Sequence, residues 1–139
     1  MDGLSGAAGA IAVIGISARI LSLCFRYSVA VKDAKKDIDR VQRKVTDIKA
    51  VLEKIKQLLD ERDRARLSIT RELFDSLEGC FWELEGLEAE LEPRKTRKAM
   101  SWLGVRVLKW PFTSKQVERI VSSLEGYERT FTLALQVDQ

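Results

Sequence analysis

From Val31 onward the apolar positions fall at Val31, Ala34, Ile38, Val41, Val45, Ile48, Leu52, Ile55 and Leu59, alternately three and four residues apart. Residues at that spacing share one side of an α-helix, so the pattern predicts a long amphipathic helix over residues 31–60. Between the stripe positions lie mixed charges such as Asp39 and Arg43, four apart in the favourable order, which suits a solvated outer face. The all-polar run from Asp60 to Arg64 predicts the turn that ends the helix. A second stripe at Leu73, Leu77, Cys80, Leu84, Leu87 and Leu91, widened by Phe74 and Phe81, predicts a helix over 68–92, with Ser68 as its cap and Pro93 as its stop. A short basic helix is expected over 95–109, before Pro111. The last helix, 114–136, is announced by Thr113 and Gln116 as a capping box and by Phe112 and Val117 as a hydrophobic staple. Its stripe is Val117, Ile120, Leu124, Tyr127, Phe131 and Ala134, broadened by Val121 and Leu135.

The N-terminal segment follows a different pattern. Residues 3–18 carry no charge, and eleven of those sixteen are Gly, Ala or Ser. Apolar residues continue through Ile20, Leu21, Leu23, Cys24 and Phe25, interrupted by Arg19 and followed by Arg26. The glycines at 3, 6, 9 and 15 each cost a water-exposed helix nearly ~1 kcal/mol relative to alanine, so a helix over 3–29 needs packing or lipid to hold it. As a helix, residues 3–25 reach about 35 Å, enough for a hydrocarbon core, whereas the uncharged part alone reaches about 24 Å. Arg19 therefore sets how deep the segment can go. Asp2 stands where a secretory signal would carry positive charge, and a heptad pattern follows without a clean cleavage boundary, so a removable signal peptide is not expected.

These elements predict an all-α fold, an up-down helical bundle of about five helices: a four-helix-bundle core plus the N-terminal hydrophobic helix. At 139 residues the chain suits one domain, spanning 1–139.

Charge changes the picture more than composition does. The net charge is +3, from 24 Lys and Arg against 21 Asp and Glu. Residues 68–92 hold eight acids against Arg71 alone, a block of −7, whereas residues 93–117 hold seven cations and no acid. Blocks of that size point to organisation. Three roles are open to the basic block: packing against the acidic helix, binding anionic lipid, or binding nucleic acid. The last is disfavoured by the low overall charge and the lack of a recognition motif.

The chain contains no histidine and two cysteines, Cys24 and Cys80, which excludes histidine-dependent triads, histidine metal sites and four-cysteine zinc sites. Cys80 lies on an apolar stripe and reads as a small buried hydrophobe, as does Cys24. No glycine precedes a lysine in a phosphate-binding loop, and the glycines at 3, 6 and 9 follow no strand. The carboxylates at Glu78, Glu85, Glu88 and Glu92 read as a solvated helix face. No catalytic residue, cofactor or metal is expected.

Two features exceed a bland helical bundle. One is the glycine-rich N-terminal helix, which is either buried among its neighbours or able to leave the bundle for lipid. The other is the basic stretch, where Lys95, Arg97, Lys98, Arg106 and Lys109 accompany Trp102 and Trp110, a combination suited to an anionic membrane interface.

The order of parts also resembles a known family. The opening MDGLSGAAGAIAVIGISARILSLCFRYSVAVKDAKKDIDRVQRKVTDIKAVLEKIKQLL and the later LEPRKTRKAMSWLGVRVLKWPFTSKQVERIVSSLEGYERTF are similar to the N-terminal effector domain of fungal NLR-like (STAND) proteins, the HeLo-like group. The resemblance covers nearly the whole chain and extends to the wording of AVKDAKKDI, KTRKAM and LKWPFTSK. It implies a helical bundle at the front of a longer receptor with a C-terminal nucleotide-binding oligomerisation (NACHT) domain and repeat sensor, neither of which lies within these residues. It further implies a cytoplasmic protein that relocates to the plasma membrane on activation and executes regulated cell death in heterokaryon incompatibility or innate immunity, by homo-oligomerisation and membrane attack through its N-terminal helix. That role maps onto residues 3–25, with Leu4, Ile11, Val13, Ile14, Ile16 and Ile20 as the lipid-meeting set. Lys95, Arg97, Lys98, Arg106 and Lys109 would then contact anionic lipid. Arg19, at ~2.5–3.5 kcal/mol at mid-bilayer, favours a wet oligomeric pore or shallow insertion over a lone span. No amyloid-type signalling motif is visible. The reading from a different class is a non-toxic helical interaction or self-association module of such a receptor.

Overall fold

The computed structural model describes residues 6–60, 71–92 and 108–136. Among these residues the fold is all-helical: α1 (Gly6–Ala30), α2 (Lys35–Asp60), α3 (Arg71–Leu91) and α4 (Ser114–Leu135). The three amphipathic stripes form as their spacing requires. On α2, Ile38, Val41, Val45, Ile48, Leu52 and Ile55 are fully buried. On α3 the buried residues are Leu73, Leu77, Cys80, Leu84, Leu87 and Leu91. On α4 they are Val117, Leu124, Phe131 and Ala134, with Ile120 and Tyr127 half-buried beside them.

Local chemistry explains the ends. Thr113 Oγ1 accepts from the Gln116 amide at 3.1 Å and Gln116 Oε1 accepts from the Thr113 amide at 2.8 Å, closing the predicted capping box at the start of α4. Phe112 packs against the core beside it and Val117 is buried. The expected start of the second helix moves, because residues 31–34 form the reversal between α1 and α2. Val31 still donates to the Tyr27 carbonyl and Ile38 to the Ala34 carbonyl, so each helix is closed by its own last or first turn.

The fifth expected helix, 95–109, lies outside the described residues except for Leu108 and Lys109, which are not helical. The four-helix core is instead completed by α1. It packs against α2 and α3, and α4 packs against the same two, so α1 stands diagonally across from α4 and α2 from α3. Cross-links between helices give their directions. Tyr27 reaches Leu91 and Arg19 reaches Glu88, which makes α1 and α3 parallel. Asp37 meets Ser114 and Lys44 meets Glu128, which makes α2 and α4 parallel. Ser123 meets Glu83, while Gly79 lies against Tyr127, so α3 and α4 run antiparallel. Directions alternate along the chain as an up-down bundle requires, but the successive helices α2 and α3 stand diagonally opposite. The last turns of α1 and α3 therefore share one end of the bundle with the first turns of α2 and α4.

At Gly79 an added Cβ would come within 2.7 Å of the Tyr127 hydroxyl and 3.2 Å of its ring, so the missing side chain is what lets α4 approach α3 at this level.

Candidate functional site

The apolar character of α1 extends well beyond the side that faces the core. The stretch Ala7–Ala30 has a mean hydropathy of 2.0 over its most apolar window and is 44% buried there. At 1.5 Å per residue its 24 residues span about 36 Å, more than a hydrocarbon core. By length and composition it is the one helix among the described residues able to cross a membrane.

Of the residues expected to meet lipid, Val13, Ile16 and Ile20 are fully buried in the core, Ile14 is half-buried against it, and Ile11 is 51% exposed. Leu4 lies outside the described residues. The bundle thus separates the expected set instead of presenting it on one surface. The inward stripe is Val13, Ile16, Ser17, Ile20, Cys24 and Tyr27. A second stripe, Ile11, Ile14, Ala18, Leu21, Phe25 and Val29, recurs every three or four residues on the outer side, and Phe25 and Val29 are 62% and 66% exposed.

Polar contacts fix α1 at two levels. The Arg19 Nε donates to Glu88 Oε2 of α3 at 2.8 Å, in a pair whose arginine is mostly exposed. Such a pair contributes under about 1 kcal/mol. Arg19, expected to limit insertion, is in this structure a tie between α1 and the acidic helix. At the end of α1 the Tyr27 hydroxyl donates to the Leu91 carbonyl at 2.7 Å, a buried bond to the last turn of α3. The Tyr27 ring meets Trp110 edge-on at 5.4 Å, and Trp110 meets Phe112 edge-on at 5.3 Å, which links the end of α1 to the start of α4.

Two buried polar atoms have no hydrogen-bond partner among the described residues: the Ser17 hydroxyl and the Trp110 indole nitrogen. Ser17 occupies a core position on α1, where an unsatisfied hydroxyl costs ~1–3 kcal/mol. Both cysteines are free and buried. Burial pushes the Cys24 and Cys80 thiols up to about 12, which leaves them inert at neutral pH.

The glycines of α1 do not all serve close packing. A Cβ at Gly15 would meet only the tip of Arg19, at an ordinary 3.9 Å. Of the expected anionic-lipid contacts, Lys95, Arg97, Lys98 and Arg106 lie outside the described residues, and Lys109 is exposed just before Trp110. The acidic helix is engaged by Arg19 at Glu88 and by Ser123, which donates to Glu83 at 2.6 Å. An open cleft of about 380 Å³ at the α3–α4 seam is lined by Glu83, Phe112, Gln116, Arg119, Ile120 and Ser123. Its single carboxylate is already the acceptor of the Ser123 bond.

Sequence reasoning missed three of these positions. Tyr27 was legible only as an aromatic residue near a helix end, Trp110 reads from the sequence as a membrane-interface residue whereas it is half-buried against Tyr27 and Phe112, and Gly79 was legible only as an unfavourable residue inside a strong helix. Compared with protein-family models, curated proteins and solved structures, the chain matches none of them.

Proposed function

We propose that this chain is a membrane-perturbing effector domain whose closed bundle stores α1 and whose clustering releases it into lipid. The observation that carries this reading is the excess apolar surface of α1: a helix long enough to span a bilayer that leaves Ile11, Phe25 and Val29 exposed beside the stripe it gives to the core. Val13, Ile16 and Ile20 each contribute about 1.5–3 kcal/mol by burial, so α1 does not leave for water. Lipid accepts the same side chains, and the outer stripe as well, at no comparable cost. Oligomerisation supplies the local concentration, and Arg19 and Arg26 then face a wet lumen or the headgroup layer. The resemblance to HeLo-like domains adds the cellular setting: a cytoplasmic receptor of the NLR type that relocates to the plasma membrane and executes regulated cell death.

The second reading, a helical self-association module without membrane action, is favoured by the full burial of Val13, Ile16 and Ile20, which is what a permanent core helix needs. Dye release from anionic liposomes separates the two. The monomeric chain, an artificially multimerised form, and a multimerised form lacking residues 1–19 are compared. The effector reading expects leakage from the multimer and none without residues 1–19. Leakage that survives the deletion sinks the α1 mechanism, and no leakage under any condition at low salt supports the interaction module.

A further inference from the structure

The outer stripe of α1 ends at a corner with a composition of its own. Phe25 and Val29, one turn apart, are the two most exposed large apolar residues of the helix. The chain then reverses through residues 31–34, and Arg26, Lys32, Lys35 and Lys36 all lie exposed around that reversal. Asp33 is the one exposed acid between residues 25 and 36. Asp37, next along, is occupied as the acceptor of the Ser114 hydroxyl at 2.9 Å. Lys44 and Asp37 mark the α4 side of α2, so Lys35 lies on its other flank. Farther along that flank Gln42 is neutral and Lys49 is paired with Glu53 at 2.9 Å, so the cations unpaired among the described residues gather at the reversal.

We propose that this α1–α2 corner docks the closed bundle on the surface of an anionic lipid bilayer, with Phe25 and Val29 in the interfacial layer and Arg26, Lys32, Lys35 and Lys36 on the headgroups. The inference rests on the membrane reading above but names a different event: docking uses the outer face of α1 and needs no opening of the bundle. Charge and apolarity together choose the partner. Two exposed apolar side chains flanked in the chain by four exposed cations match the headgroup-to-acyl boundary, where interfacial helices bury their apolar face and anionic lipid attracts each nearby cation. A symmetric contact with a second copy would place these cations against each other. Nucleic acid would leave Phe25 and Val29 in water.

The test is co-sedimentation with vesicles of phosphatidylcholine alone or mixed with phosphatidylserine. The bundle is held shut by a bis-maleimide cross-link between cysteines placed by Arg19→Cys and Glu88→Cys, and Cys24 and Cys80 are protected by burial. Circular dichroism confirms that each variant keeps its helicity. The stapled bundle is expected to bind phosphatidylserine vesicles as well as the unstapled one and to bind phosphatidylcholine weakly. Lys35→Glu with Lys36→Glu, and separately Phe25→Ser with Val29→Ser, are expected to weaken binding roughly tenfold or more. Binding should also weaken as salt rises. Unchanged binding by both double variants, equal binding to the two vesicle types, or a vesicle-free dimer that the corner variants dissolve each overturns the proposal. Leakage by the unstapled multimer with unaltered docking of the corner variants would reject the corner and leave α1 insertion standing. Docking of the stapled bundle without leakage from any form would do the reverse.

Discussion

Helices α1 and α2 are nearly the same length, 25 and 26 residues, and lie side by side, yet they meet their surroundings in opposite ways. Each gives the core a continuous inner stripe. The outer face of α2 is covered by charges such as the Asp39–Arg43 and Lys49–Glu53 pairs, which hold it in water and define which way it faces. The outer face of α1 is apolar or small except at Arg19, Ser22 and Arg26. The difference teaches that the bundle alone explains α2 completely and α1 only by half. The inner stripes differ too. That of α2 is apolar throughout, whereas that of α1 contains Ser17 without a partner among the described residues.

The comparison can be broken first at the core. Ile16→Ala on α1 and Ile48→Ala on α2 should each destabilise the fold by about 2–5 kcal/mol in chemical denaturation, because both side chains are fully buried. A cost at Ile16 far below that at Ile48 would mean that α1 is not a core element. Ser17→Ala should act in the opposite direction, stabilising the closed bundle by about 1–2 kcal/mol through removal of an unsatisfied hydroxyl. If the bundle must open to act, the same substitution should slow dye release. On the outer face, Phe25→Ser should change stability by less than about 0.5 kcal/mol, since little is buried there. A large loss at Phe25 would show that the outer stripe has a structural partner.

The pH dependence sharpens the comparison from another side. Burial holds the Cys24 thiol neutral to about 12, against an ordinary value of 9.0. Above pH 9 the unfolded chain therefore loses a proton that the folded chain keeps, and stability falls as pH rises from about 9 towards 12. Cys80 and the raised Tyr27 add to the same alkaline loss. On α2, the hydrogen bond from Lys44 to Glu128 raises the lysine, so its contribution is complete below its ordinary 10.5 and disappears as pH climbs through the raised value. Cys24→Ala should flatten the beginning of that decline in a denaturation series across pH 8–11. With no histidine in the chain, no histidine titration contributes near neutrality.

Much of this was legible in the residues. The stripes of α2, α3 and α4 could be read because polar residues mark the outer face of each helix, and the capping box could be read because Thr113 and Gln116 stand three apart before an apolar run. The orientation of α1 could not. Up to Ala18 the helix has no charge to mark the outside, so Val13 and Ile11 look alike until neighbours are present, and Arg19, Ser22 and Arg26 mark a polar side only in its second half. The spacing puts the α1–α2 break at residue 30, too early, because Val31 and Ala34 continue the heptad spacing by coincidence of phase, although they sit in the turn. The diagonal placement of α2 and α3 was invisible for a different reason. An apolar stripe specifies that a helix faces a core, and carries no information on which helix lies beside it. Arg19 was legible as the charge that would limit how deep α1 could enter lipid, but its partner Glu88, 69 residues away, was not legible.

The effector reading requires α1 to leave its seat between α2 and α3 before the domain can permeabilise lipid. The most direct measurement is dye release from anionic liposomes by the multimerised chain carrying Arg19→Cys and Glu88→Cys, joined by a reducible bis-maleimide. Release should be absent while the cross-link is intact and return when a reductant cleaves the linker. Release of equal extent before and after cleavage would show that α1 acts without leaving the bundle, and would contradict the account.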